Sequence, residues 1–104
     1  MAKYVLTVKA VHDLDDIWNY TLAHWSEEQA DSYYQLLIQS FGIISENPSY
    51  GRSAENIVKG LKKFKVERHI IFFRILSPAF IEITRVLHER MDFEGHFRWF
   101  TFKI

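Results

Sequence analysis

Arg68-His69-Ile70-Ile71-Phe72-Phe73-Arg74-Ile75 is followed, across Ser77-Pro78, by Phe80-Ile81-Glu82-Ile83-Thr84-Arg85-Val86-Leu87. Both runs are short and rich in β-branched and aromatic residues, and Ser-Pro is turn chemistry, so two consecutive strands are predicted. Phe64-Lys65-Val66, a few residues after Gly60, is a third candidate strand. Strands this close in sequence pair as a β-meander.

Upstream the period changes. Leu14, Ile17, Trp18, Thr21 and Trp25 recur at helical spacing, and Asp13, Asp15 and Asp16 are expected at the positive end of a helix beginning there. Ser26 with Gln29 is a capping-box signature for a second helix. Ala30, Tyr33, Tyr34, Leu37, Phe41 and Ile44 give that helix one apolar stripe, and Asn47-Pro48 ends it. Helices joined by so short a link pack as an antiparallel hairpin. Lys3 to Lys9 reads as a first strand, and Pro48 to Lys59 as a loop with Gly51 as its turn. The expected class is α+β: an N-terminal strand, an antiparallel two-helix hairpin, then a β-meander, with the helices packed on one face of a mostly antiparallel sheet. One domain is expected over 1–104, with 97–104 as an aromatic tail.

At 104 residues with 48% apolar content, the chain can build a hydrophobic core of its own. It has no cysteine, which excludes a disulfide scaffold, a Cys-based zinc or iron–sulfur site and a thiol nucleophile. A cytoplasmic protein without signal peptide or membrane span is the expectation. The net charge of zero conceals a division. Residues 1–51 carry two basic against seven acidic side chains, a net of −5; residues 52–104 carry eleven against six, a net of +5.

Little in the sequence announces catalysis. Histidines 12, 24, 69, 88 and 96 make no helical i, i+4 pair, so neither a metal site nor any other cofactor is expected. The four glycines are scattered and form no phosphate loop. Trp18, Trp25, Tyr33 and Tyr34 could stack bases, but they fall mostly on the apolar helix stripes and read as core. Lys59, Lys62, Lys63 and Lys65 are either a solvated strand edge or a functional patch. Arg74 and Arg85 stand inside apolar strands and need partners, either internal carboxylates such as Glu82 or a bound anion.

Arg68 to Arg74, followed by Arg85-Val86-Leu87-His88-Glu89-Arg90-Met91-Asp92, resembles the C-terminal signature of ParE toxins of the RelE/ParE superfamily. Ala10 to Tyr20, Gln29 to Tyr33, and Asn47-Pro48 with Gly51-Arg52 resemble earlier parts of the same pattern. The family-motif residues are Arg52, Arg68, Arg74, Arg85, His88 and Arg90. The resemblance implies a toxin of a type II toxin–antitoxin system that traps the DNA cleavage complex of DNA gyrase and is not a hydrolase. It also implies a ParD-like antitoxin as partner, contact with DNA only indirectly, through gyrase or an operator complex, and no membrane.

The other branch of the superfamily, RelE-like, cuts messenger RNA on the ribosome. Were this chain such a nuclease, Lys63, Lys65, Arg85, His88 and Arg90 would be its catalytic set. No tyrosine follows Tyr50, which separates the sequence from the RelE-like pattern. A fold that serves only as a non-toxic antitoxin-binding or autoregulatory partner is a third possibility. Beyond Asp92 to His96 the chain continues into its tail, where Phe97, Trp99, Phe100 and Phe102 are candidate antitoxin- or target-binding residues. The alternative for that tail is that it packs back on the sheet.

Overall fold

Thr7 begins the first helix. In the computed structural model, which describes residues 3–98, its Oγ1 accepts from Ala10 N at 3.0 Å and donates to Thr84 O at 2.7 Å. One side chain thereby caps a helix and ties it to a strand. The first strand, β1 (Tyr4–Leu6), is accordingly shorter than the predicted Lys3–Lys9 run, and α1 spans Val8–His24. Asp13, Asp15 and Asp16 are interior to α1; its first turn holds no acid. The helix-end role expected of the three aspartates is therefore wrong: the Thr7 cap moved the start one turn upstream.

The second helix, α2 (Glu27–Glu46), matches its sequence signals closely. Ser26 Oγ accepts from Gln29 N at 3.1 Å, and the helix stops before Asn47-Pro48. A short 3₁₀ turn, Pro48–Tyr50, leads to β2 (Arg52–Ser53), a two-residue strand inside the stretch expected to be loop. Then come β3 (Leu61–Val66), β4 (His69–Ser77), β5 (Phe80–His88) and a single-turn helix α3 (Phe93–His96).

The sheet order is β1-β5-β4-β3-β2. The β2–β3, β3–β4 and β4–β5 pairs are antiparallel, and β1 joins β5 in parallel, Tyr4 opposite Ile81 and Leu6 opposite Ile83. The helical hairpin covers one face. Ala10, Leu14 and Ile17 of α1 and Leu37, Phe41 and Ile44 of α2 bury against Ile71, Phe73, Ile81, Ile83 and Val86.

The opposite face is covered as well, which the helical periodicity did not reveal. Ala54, Val58, Leu61, Ile70, Phe72, Leu87 and Phe97 form a second core, with Ile57 and Phe93 packed against it. Two covered faces explain why Ile70-Ile71-Phe72-Phe73 is apolar without alternation. Phe97 is 1% exposed, its ring centroid 5.1 Å from that of Phe72. The start of the tail thus packs back on the sheet, and Phe97 is not a surface residue. Trp99, Phe100 and Phe102 lie outside the described residues.

Candidate functional site

Asp13 sits on the same face of α1 as Ala10, Leu14 and Ile17 and is buried with them. It is held there by β5. Beyond Ile83 no described strand pairs with the outer edge of β5, and Asp13 Oδ2 accepts from Val86 N at 3.0 Å. The same carboxylate takes both prongs of Arg85, Nε to Oδ2 and Nη2 to Oδ1, each at 2.8 Å. Arg85 Nη1 donates to His96 O, at the end of α3, at 3.1 Å. Arg85 therefore ties the first helix and the C-terminal turn to one strand, with each of its three side-chain nitrogens engaged. Where β5 passes from Ile83 to Arg85, Thr84 is an extra residue against β4. Such a bulge re-aims the side chains on its strand.

Arg74 is also engaged from within: its Nε and Nη2 reach Glu82 Oε1 and Oε2 at 3.0 and 3.1 Å, and Thr84 Oγ1 joins Glu82 Oε1 at 3.0 Å. Both strand arginines have the internal carboxylate partners their positions demanded. Lys65 is paired with Glu89 at 3.0 Å, and this lysine holds the Glu89 carboxyl below its ordinary range.

On the helical face an open groove of about 930 Å³ runs between the α1–α2 connection and the β3–β4 turn. Apolar side chains dominate it, among them Ile17, Tyr20, Trp25, Leu36 and Met91, with Asp16, Glu67 and Arg68 also in its lining. Tyr20 and Trp25 are 62% and 65% exposed, so the groove presents large uncovered rings. Trp25, read as core from its spacing, is a surface residue.

Three polar groups line the deeper part of the groove. Tyr33 Oη is 2.6 Å from His69 Nδ1, and the His69 and His88 rings, cross-strand neighbours on β4 and β5, meet edge to face at 5.3 Å. Burial, reinforced by His88, lowers the His69 pKa to about 4, so this imidazole is neutral at physiological pH. Burial likewise pushes the Tyr33 phenol above its ordinary value. Arg90 N donates to His88 Nδ1 at 3.2 Å. Among the described residues no three potential metal ligands come together, and no helix is long and apolar enough to cross a membrane.

Comparison with known proteins bears on the family and the fold. Residues 4–93 match the family model described as the ParE toxin of the type II toxin–antitoxin system parDE. The chain belongs to the ParE toxin family. It is 36% identical over 96 residues to Toxin ParE1 of Caulobacter vibrioides, covering 92% of this chain and 98% of that protein. It is 33% identical over 91 residues to Toxin ParE1 of Mycobacterium tuberculosis, covering 88% and 93%. The fold resembles a solved chain of the chromosomal ParDE system from P. aeruginosa, with a TM-score of 0.71 at 22% identity, over 85% of this chain and 96% of that one.

Within this ParE-type chain the family-motif residues do not form one cluster. Arg74 and Arg85 are internal ties, Arg68 and His88 line the groove, Arg90 follows β5, and Arg52 stands at the far end of the sheet. The set that nuclease chemistry would need is dispersed too. Arg85 is bound to Asp13, Lys65 to Glu89, and His88 turns toward the helices. Lys63, opposite Phe72, shares the face of the second core. Sequence reasoning named His88 but not its grouping with Tyr33 and His69, and gave Asp13 a helix-end role in place of its tie to Arg85. One signal was available: Asp13 lies three residues after Ala10 and four before Ile17, an acid on an apolar stripe.

Proposed function

We propose that this ParE-family toxin inhibits DNA gyrase by holding its DNA cleavage complex, without hydrolytic chemistry of its own. The observation that carries this reading is the occupied state of Arg85, whose donors go to Asp13 and His96 O. A guanidinium this buried, with its charge already met by Asp13, is badly placed to bind a scissile phosphate. With Lys65 paired and His88 on the other face, the described residues bring no acid, base and phosphate-binding cation together as RNA cleavage requires.

A ParD-like antitoxin is the proposed neutralising partner, in the cytoplasm. The groove supports this, because exposed Tyr20 and Trp25 beside Met91 suit the apolar face of a peptide segment. Trp99, Phe100 and Phe102 are proposed to extend the binding surface.

The deciding experiment is a gyrase cleavage assay with the purified chain, alongside ribosome-dependent RNA cleavage. Linearised plasmid accumulating with intact RNA is expected. Cut transcripts with intact DNA would replace this reading by the RelE-like one. Inactivity in both, with tight antitoxin binding, would leave the binding-only role.

A further inference from the structure

Arg52 and Lys63 stand directly opposite each other on β2 and β3, with Ser53 opposite Lys62 in the next register position. Like charges facing each other across a strand pair destabilise a sheet. No described carboxylate forms an ion pair with Arg52, Lys59, Lys62 or Lys63, and residues 1, 2 and 99–104 contain no Asp or Glu. Glu55, the acid in the intervening loop, directs its carboxylate to Gly60 N at 3.2 Å instead. Four cations thus stand against one acid, Glu55, at this corner, and none of the four is in an ion pair among the described residues.

Edge protection does not account for the arrangement. Edge protection is a role for a charge on the outermost strand, and Arg52 on β2 is the residue placed for it. Lys62 and Lys63 lie on the inner strand, where β2 already pairs with the backbone. They alternate in direction, so cations project from both faces of the sheet beside the corner. Tyr50, 57% exposed, precedes Gly51-Arg52 and adds a hydroxyl of the kind that contacts phosphate oxygens.

We propose that the β2–β3 corner, Arg52, Lys62 and Lys63 with Lys59, is a direct contact site for the sugar–phosphate backbone of duplex DNA. A backbone contact is carried by clustered cations, and that is what the corner offers. Single-stranded RNA is a poorer fit, because one exposed ring is not the succession of stacking platforms that unpaired bases use. The proposal departs from the indirect DNA contact that the family resemblance implies, and it is independent of the gyrase reading, since it concerns DNA bound by this chain alone.

The test is fluorescence anisotropy with the full-length chain and a labelled duplex of about 30 base pairs, without gyrase or antitoxin, across a salt series. Four phosphate contacts give a slope of log affinity against log salt of about −3.6. Arg52→Glu removes one contact and engages Lys63, so the slope should fall by about 2 and the low-salt affinity by about tenfold or more. Its thermal midpoint should stay level or rise, because an opposed pair replaces a like-charged one. Arg52→Gln combined with Lys63→Gln should weaken DNA binding similarly without a new ion pair. Lys3→Gln, at the other end of the sheet, should leave affinity nearly unchanged. Undiminished binding by Arg52→Glu, equal loss from Lys3→Gln, or tighter binding to single-stranded RNA of equal length would overturn the proposal. A chain inactive on gyrase that still binds DNA through this corner would overturn only the gyrase reading.

Discussion

Asp13 on the first helix and Arg85 on the last strand, 72 positions apart, form a two-pronged ion pair with both hydrogen bonds at 2.8 Å. The carboxylate also closes the open edge of β5 at Val86 N, and the guanidinium also closes the end of α3 at His96 O. Removing one partner strands the other in a dry environment. Asp13→Ala and Arg85→Ala should each cost about 3–5 kcal/mol. Asp13→Leu with Arg85→Met should recover a large part of that loss, and urea unfolding of the four proteins measures the coupling.

Stability should fall between pH 6.5 and 4 for a reason located at His69. Its folded-state pKa of about 4 lies below the unfolded value of 6.5, so the unfolded chain binds more protons across that window. The contribution is complete above pH 6.5 and is lost as the pH falls toward 4. Because the ring is only partly buried among Tyr33, His88 and the more distant charges of Asp13 and Glu89, screening reduces it to about 1–2 kcal/mol. His69→Gln should flatten this part of the stability–pH curve in denaturant titrations.

Gly51 packs against a ring that cannot move aside. A Cβ there would overlap Phe73 Cζ and stand 2.7 Å from Cε1, and Phe73 is fully buried. Gly51→Ala should destabilise by about 1–3 kcal/mol through overpacking. A thermal melt checks this, and Phe73→Leu in the same background should relieve part of the loss.

Phe97 divides the C-terminal segment into a core part and the remainder. Phe97→Ala should cost about 3–5 kcal/mol, and a chain ended after Arg98 is the companion variant that keeps Phe97 in place. Comparing both variants in urea, then in antitoxin binding, separates what 99–104 contributes from what Phe97 contributes.

Trp25 tests the groove. Its exposed ring at the α1–α2 connection makes it the proposed anchor for an antitoxin segment. Trp25→Ala should weaken that association by roughly 2 kcal/mol, about thirtyfold, with little change in toxin stability. Calorimetric titration with the cognate antitoxin reads both affinity and stoichiometry.

The elements that local chemistry specifies were legible in the sequence. Ser26 and Gln29 start α2 and Asn47-Pro48 ends it, because a cap and a proline act within a few residues of themselves. The β4 and β5 runs and the Glu82 partner of Arg74 were legible for the same reason, as was the turn between the strands, which the structure places one residue later than expected, at Pro78-Ala79. The start of α1 was not, since Thr7 takes its place partly from Thr84, 77 positions away. Nor was β2, whose two residues exist as a strand only because Lys62 and Lys63 pair with them.

The sequence by itself determined the order of strand, helix pair and meander, the need of Arg74 and Arg85 for partners, and membership in a toxin family. Tertiary structure alone decided that the partner of Arg85 is Asp13. A carboxylate at position 13 is one of three similar aspartates until β5 lays an unpaired N–H and a guanidinium against it. Phe97 is one of several tail aromatics until Phe72 and Leu87 enclose it. In both cases the deciding contact is between residues far apart in the chain, where burial turns an ordinary side chain into a structural tie.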